Sequence, residues 1–141
     1  MPIADAPPHH AQGRIDRVEM AVFQAMNAAR ARHGIPRLRL IRSLSSAASA
    51  QSSDQANHHT LDHTSSNGTP FYTRIRRAAN ARSVGENLIA YHGSMSGRAI
   101  VRAWMHSPPH RAEILSGVYR RVGVGRARSG RFTVATADFA S

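Results

Sequence analysis

Trp104-Met105-His106-Ser107-Pro108-Pro109-His110-Arg111 joins residues that no single folding rule requires together. Trp104 and Met105 complete an apolar helical face begun by Ile100 and Val101. The two prolines stop that helix, because proline lacks an N–H and restricts the residue before it. Ser107 and Pro108 then make a good N-cap and first position for a second, short helix carrying His110 and Leu115. Upstream lies Gly85-Glu86-Asn87, where one of only three glutamates sits between a glycine and an asparagine. Together the two segments read as a site.

Outward from that site, the chain alternates helix and strand signals. Asn87 to Tyr91 reads as a strand. Val122 and Val124 alternate across Gly123 and Gly125, and Phe132, Val134 and Thr136 alternate on a second run. Ser129-Gly130 between those runs is a hairpin signal. Towards the N-terminus, Ile15, Val18, Val22, Met26 and Ala29 form one apolar stripe at helical spacing. Asp16 and Glu19 in its first turn, and Arg30, Arg32 and His33 in its last, match the helix dipole. Gly34 and Pro36 end it. A second helix is expected from an N-cap at Ser43 towards His58, its alanines and serines suited to close packing. Phe71, Ile75 and Ala78 suggest a short helix after Pro70. Helices bracketing a small antiparallel sheet make an α+β domain.

The chain of 141 residues supports one domain, and 41% hydrophobic content is enough for a core. Residues 1–13 show no apolar periodicity and read as a flexible leader, leaving 14–141 as a single domain. Ala4-Asp5-Ala6 resembles the end of a secretory signal, but no hydrophobic segment precedes it. No apolar run approaches the roughly 18 residues of a membrane span. The absence of cysteine excludes a disulfide scaffold, a thiolate metal site and a cysteine nucleophile. The net charge of +11 comes from arginine alone, with no lysine. These arginines form no basic block and do not interleave with aromatics, so dedicated nucleic-acid recognition is not expected. A solvated surface is the plain reading, and peripheral contact with anionic surfaces the sharper one.

His63, Glu86 and His110 are the leading site residues. Each lies at the edge of an expected element, where side chains can point into a common cleft. Two imidazoles and a carboxylate suit Zn²⁺ or another divalent cation. The same trio could serve as base, acid and charge stabiliser. Spacing alone does not show that they converge; on that ground His110 would merely cap a turn and Glu86 would bond backbone amides. His59 and His63 have an i, i+4 spacing, but without a glutamate after His59 this is not a metalloprotease motif. His92 is placed in a loop after its strand, His106 towards solvent, Trp104 in the core, and Asn87 as a holder of backbone around the site. Ser65, Ser66 and Ser107 lack the glycines of a nucleophile elbow.

Taken in order, these segments resemble the CAP superfamily, the group of cysteine-rich secretory proteins, antigen 5 and pathogenesis-related 1, in its compact bacterial SCP-like form. The resemblance runs over residues 18–141. It begins with Asn27-Ala28-Ala29-Arg30 and His33-Gly34-Ile35-Pro36-Arg37-Leu38, then Asp62-His63-Thr64, Asn67-Gly68, Phe71 and Arg74-Ile75. Gly85-Glu86-Asn87 and Trp104 to Arg111 with Ile114-Leu115 follow. Tyr119, Val122-Gly123-Val124-Gly125 and Asp138-Phe139 complete it.

The resemblance implies a three-layer α-β-α sandwich with a central antiparallel sheet, in a secreted or envelope-associated protein. It matches His63 to the family's first histidine, Glu86 to its first glutamate and His110 to its second histidine. Ser107 stands where many eukaryotic members have a second glutamate, so no second carboxylate is expected in the cleft. With one carboxylate a metal would be held less firmly, and a Glu86 that ligates is not free as a general base. The expected function is therefore binding of a small ligand, lipid or envelope component by a monomer, with Zn²⁺ or another divalent cation as an expected cofactor. A metal-assisted hydrolase or protease using His63, Glu86 and His110 is the first alternative. An arginine-rich adhesion module for anionic polymers or membranes is the second.

Overall fold

The computed structural model describes residues 14–141, so the leader expected at 1–13 lies outside the described residues. Its elements run α1 (Arg17–Arg32), β1 (Arg39–Leu40), α2 (Arg42–His58), α3 (Phe71–Ala78), β2 (Val84–His92), α4 (Gly97–Met105), α5 (Pro108–Leu115), β3 (Arg121–Ser129) and β4 (Phe132–Ala140). No helix among the described residues is long and apolar enough to cross a membrane.

The first helix starts where its acids suggest, by a mechanism more specific than dipole matching. Asp16 Oδ1 accepts from the Glu19 amide at 2.8 Å, and Glu19 Oε1 accepts from the Asp16 amide at 2.8 Å. This reciprocal capping box satisfies two amides that a helix otherwise leaves unpaired. The second helix begins at Arg42 with Ile41 as its N-cap, not at Ser43. The Ile41 amide donates to Val122 O at 2.9 Å, so pairing of the preceding strand with β3 sets where the helix starts.

That strand, β1, was not anticipated. It has two residues, too few for any periodicity, and pairs in parallel with β3. The sheet is therefore mixed, in the order β1-β3-β4-β2, with an antiparallel core of three nine-residue strands. β3 and β4 form the expected hairpin, with Gly130 at φ 61° in its connection, a backbone region that favours glycine. His92 closes β2 opposite Phe132 and does not lie in a loop.

Side-chain alternation along β4 divides the interior in two. Ala135, Ala137 and Phe139 face α1, α4 and α5, joining Met26, Ile100, Trp104 and Ile114 in the larger core. Ala140 faces the other way with Leu44 and Ile75 from α2 and α3. Thr136, on the same side as Ala140, bonds Ser52 Oγ of α2 at 2.7 Å. Two helical layers thus enclose the sheet, as an α-β-α sandwich. The small residues of α2 have a direct purpose here. Gly123 and Gly125 of β3 lie so close under the backbone of Leu44, Ser45, Ala48 and Ser49 that a Cβ at either glycine would overlap it.

Candidate functional site

β2 is the outer strand at one edge of the sheet, so residues from both helical layers can reach around it. Glu86 lies on its α2/α3 side, with a side chain fully removed from solvent. A buried carboxylate is costly unless paired and hydrogen-bonded. Arg74 of α3 supplies the pairing, its Nη2 lying 2.9 Å from Oε2 and 3.1 Å from Oε1. His63 supplies a second partner, with Nδ1 3.0 Å from Oε1.

His63 sits in the loop after α2, as its sequence context suggests. Two glutamines on successive turns of α2 pin that loop. Gln55 Oε1 accepts from the Thr60 hydroxyl and the Asp62 amide, both at 2.8 Å, and Gln51 Nε2 donates to Asp62 O at 2.7 Å. Arg74 Nη2 also donates to His63 O at 2.8 Å, so one guanidinium orders both the loop and the carboxylate. The His63 ring packs against Phe71, with centroids 5.7 Å apart.

His110 arrives from the other layer, on α5. Its backbone carbonyl accepts from Asn87 Nδ2 at 3.0 Å, giving Asn87 the holding role read from its position. Its Nδ1 lies 3.0 Å from Ser107 Oγ. That contact explains why Ser107, although the N-cap of α5, makes no capping bond through its side chain. The start of α5 is itself tied down by the core. Trp104 is buried and its indole N–H donates to Leu88 O at 3.1 Å. Arg30, fully buried on α1, donates to Pro36 O, Ile114 O and Ser116 O at 2.8 Å and to Tyr119 O at 2.9 Å, fixing the end of the same helix.

The electrostatics follow from these contacts. Burial pushes the Glu86 carboxyl up, but hydrogen bonds with His63 and Asp138 and the charge of Arg74 overcome it and hold it below the usual glutamate range. The bond to Glu86 raises His63 above an ordinary imidazole, against the opposing effect of burial. Burial and the nearby His63 charge lower His110. An ionised carboxylate only accepts, so His63 Nδ1 carries a proton and Nε2 is its outward edge. Among the described residues neither His63 Nε2 nor His110 Nε2 has a hydrogen-bond partner.

Two acids that the motif pattern did not mark as site residues stand beside this pair. Asp138 on β4 is the register partner of Glu86. It is fully buried, and burial followed by the bond to Glu86 pushes its pKa well above the ordinary aspartate value. Neither of its oxygens meets a protein donor. The second acid is Glu113, one turn after His110 on α5. Its Oε2 occupies the space a Cβ at Gly85 would need, beside the Tyr119 hydroxyl. Burial raises its pKa, and His63 is near enough to pull it back. The expectation of a single carboxylate is therefore corrected. Ser107 leaves a gap, but an acid enters from the next turn. Arg74 and Asp138 were visible in sequence only as motif members, and Glu113 carried no mark at all.

The donor set His63, His110 and Glu86 does not fit a divalent cation in this arrangement. Both Glu86 oxygens are engaged by Arg74, one of them also by His63, so neither is free to ligate without breaking those contacts. Among the described residues no group of three or more histidines, cysteines or acids is arranged to hold a metal.

A sheet between two helical layers, with two histidines and a buried glutamate gathered around its edge strand, defines an α-β-α sandwich domain. The profile of the cysteine-rich secretory protein (CAP) family matches residues 23–139, and the chain belongs to that family. The uncharacterized protein YkwD of Bacillus subtilis is 31% identical over 121 residues, 85% of this chain and 46% of that protein. An extracellular SCP-domain protein from Bacillus anthracis has a similar structure, with a TM-score of 0.76 at 26% identity, over 86% of this chain and 39% of that one. The chain thus spans less than half the length of these two relatives. An outer surface protein from Borrelia burgdorferi shares the fold across nearly its whole length, with a TM-score of 0.78 at 19% identity, covering 90% of this chain and 96% of that one.

Proposed function

We propose that this CAP domain is exported and binds a small polar ligand in the cleft at the β2 edge, without catalysis. The observation that carries the reading is the pair of imidazole edges. In each ring Nδ1 is held from within, by Glu86 or by Ser107, while Nε2 is left for something outside the protein. Holding one nitrogen fixes ring orientation before binding, which lowers the entropy lost on association. Glu86 and Arg74 act behind His63 as positioning residues. Similarity to an extracellular and an outer surface protein supports the exported location.

The test is a histidine-selective NMR titration of the purified chain with small hydroxylated, amidated and carboxylated compounds drawn from cell-envelope chemistry. Binding at the cleft shifts the His63 and His110 ring resonances together, and His63→Ala and His110→Ala each abolish it while the fold persists. If no compound moves either ring, the reading fails. A separate arm titrates Zn²⁺. Stoichiometric uptake requiring His63, His110 and Glu86 would replace this reading with a metal site, because Glu86 would have to leave Arg74.

Hydrolysis is the second reading, favoured by one observation. A histidine whose Nδ1–H meets an ionised carboxylate has the form of an oriented general base. Hydrolysis of peptide or ester substrates that Glu86→Gln suppresses would support it; activity that survives Glu86→Gln would remove this pair from the mechanism.

A further inference from the structure

A second concavity, of about 500 Å³, lies between α1 and α4 and extends to the start of α5. Arg32 stands at its α1 end, Arg98 and Arg102 along α4, and Arg111 on α5, and no acidic side chain lines it. Arg98 and Arg102 are one turn apart and so share a helix face. Among the described residues the arginines in ion pairs are Arg74 and Arg126, and none of these four is in one. Like charges gathered without counter-charge repel, so the cluster is a standing electrostatic cost that an anionic partner would relieve.

The groove is also partly built. Arg111 Nη2 lies 3.1 Å from His33 Nε2, while His33 Nδ1 lies 2.8 Å from Ala29 O. A carbonyl only accepts, so Nδ1 donates and Nε2 accepts, and His33 holds the Arg111 guanidinium over the groove. The floor is apolar: Ala25 and Ala28 of α1 face Val101 and Met105 of α4. The two alanines open the space that larger residues would fill.

We propose that this groove docks an acidic peptide segment of a partner protein, in which carboxylates alternate with apolar side chains. Guanidinium forks match carboxylates in bidentate geometry, and four forks around the rim call for more than one carboxylate. A single-headed anion leaves most of the rim unpaired. A wholly hydrophilic polyanion gains nothing from the alanine, valine and methionine floor. A peptide carrying both groups uses both surfaces. This site is separate from the His63 cleft, and its occupancy does not depend on the function proposed there.

The test measures fluorescence anisotropy of a labelled ten-residue peptide alternating glutamate and leucine, with the intact chain at low and moderate salt. Binding is expected to weaken at least tenfold between the two salts, and the glutamine-for-glutamate peptide is expected not to bind. Arg32→Glu with Arg102→Glu should weaken binding at least tenfold, and Arg32→Gln with Arg102→Gln provides a milder pair that spares the C-terminus of α1 a negative charge. Arg37→Glu with Arg128→Glu, both exposed and outside the groove, lowers the net charge equally and should change binding less than threefold. Equal loss in both reversal pairs would overturn the proposal, since overall charge alone would explain it. So would inorganic polyphosphate, or vesicles containing phosphatidylglycerol, perturbing the amide resonances of the groove where the peptide does not.

Discussion

Glu86 and Asp138 face each other across the β2–β4 ladder, and their carboxyls shift in opposite directions, Glu86 down and Asp138 up. Two carboxylates in such contact cannot both ionise in a dry interior. Arg74 decides which one does. Its Nη2 is 2.9 Å from Glu86 Oε2, whereas its closest approach to Asp138 is 3.8 Å from Nη1 to Oδ2. Arg74 thus favours the charge on Glu86, while Asp138 is pushed well above the ordinary aspartate range, and the Glu86 charge in turn orients His63.

Asp138→Asn should be tolerated, because the amide can still donate to Glu86 and no charge is lost. Its stability at pH 7 is expected within about 1 kcal/mol of the parent. Glu86→Ala strands the largely buried Arg74 guanidinium and should cost about 3–5 kcal/mol. Urea denaturation of both variants checks this. Equal losses would mean that Asp138, not Glu86, carries the charge.

His63 and His110 should titrate on opposite sides of the ordinary imidazole value. His63 is raised by its bond to Glu86, and His110 is lowered by burial and by the charge of His63. In the folded state His63 binds its proton more tightly than in the unfolded state. Its contribution to stability is thus complete below about pH 6.5 and is lost as pH rises through its folded value. His110 has the opposite sign: its contribution is present above about pH 6.5 and is lost as pH falls through its depressed value. Ring-carbon NMR shifts followed from pH 4 to 9 read both midpoints. A His110 midpoint above that of His63 would contradict the contact between His63 and Glu86 and the burial of His110.

Much of this fold was legible because it rests on repeated local signals. The stripe from Ile15 to Ala29, the alternation in Val122–Val124 and Phe132–Thr136, and the Ser-Pro-Pro break each repeat a rule over several residues. What escaped was set by single long-range contacts. The two-residue strand β1 exists because Leu38 and Ile41 are anchored elsewhere: the Leu38 amide donates to Asn27 Oδ1 at 2.7 Å and the Ile41 amide to Val122 O at 2.9 Å. Its pairing with β3 also moves the start of α2 away from Ser43. At the candidate site, His63, Glu86 and His110 could be marked by motif, but the pairing of Arg74 and Asp138 with Glu86 could not. Arg74 reads as a motif member with no assigned partner, and Glu113 carries no mark, until the edge of β2 brings them to the site.

Gly85 should resist enlargement for a reason tied to the site. A Cβ there overlaps Glu113 Oε2 and lies 2.9 Å from Tyr119 Cζ. Tyr119 is buried and its hydroxyl donates to Val84 O at 3.1 Å, so it cannot easily retreat. Gly85→Ala is expected to cost about 1–3 kcal/mol through overpacking. Glu113→Ala in the same chain removes the nearest clash and should recover part of that loss. A double-mutant cycle by thermal denaturation measures the coupling. Strict additivity of the two substitutions would show that Glu113 does not lie over Gly85.

Arg30 links the stability of the domain to the position of His110. Its guanidinium is fully buried and meets four backbone carbonyls, two of them at the C-terminal end of α5 and just beyond, where the helix dipole favours a cation. Arg30→Met fills similar volume but leaves those carbonyls without donors in the interior, and should cost about 3 kcal/mol or more. Arg30→Lys keeps the charge, yet an ammonium cannot reproduce the planar fork that spans Pro36, Ile114, Ser116 and Tyr119, so an intermediate loss is expected. The local consequence separates this from simple destabilisation. Because Arg30 holds the far end of α5 while Ser107 and Asn87 hold its start, the Met variant should show faster amide exchange in α5 than in α2 under conditions where the domain stays folded. Exchange that rises uniformly across both helices would mean that Arg30 supports the core as a whole and has no particular hold on the helix that presents His110.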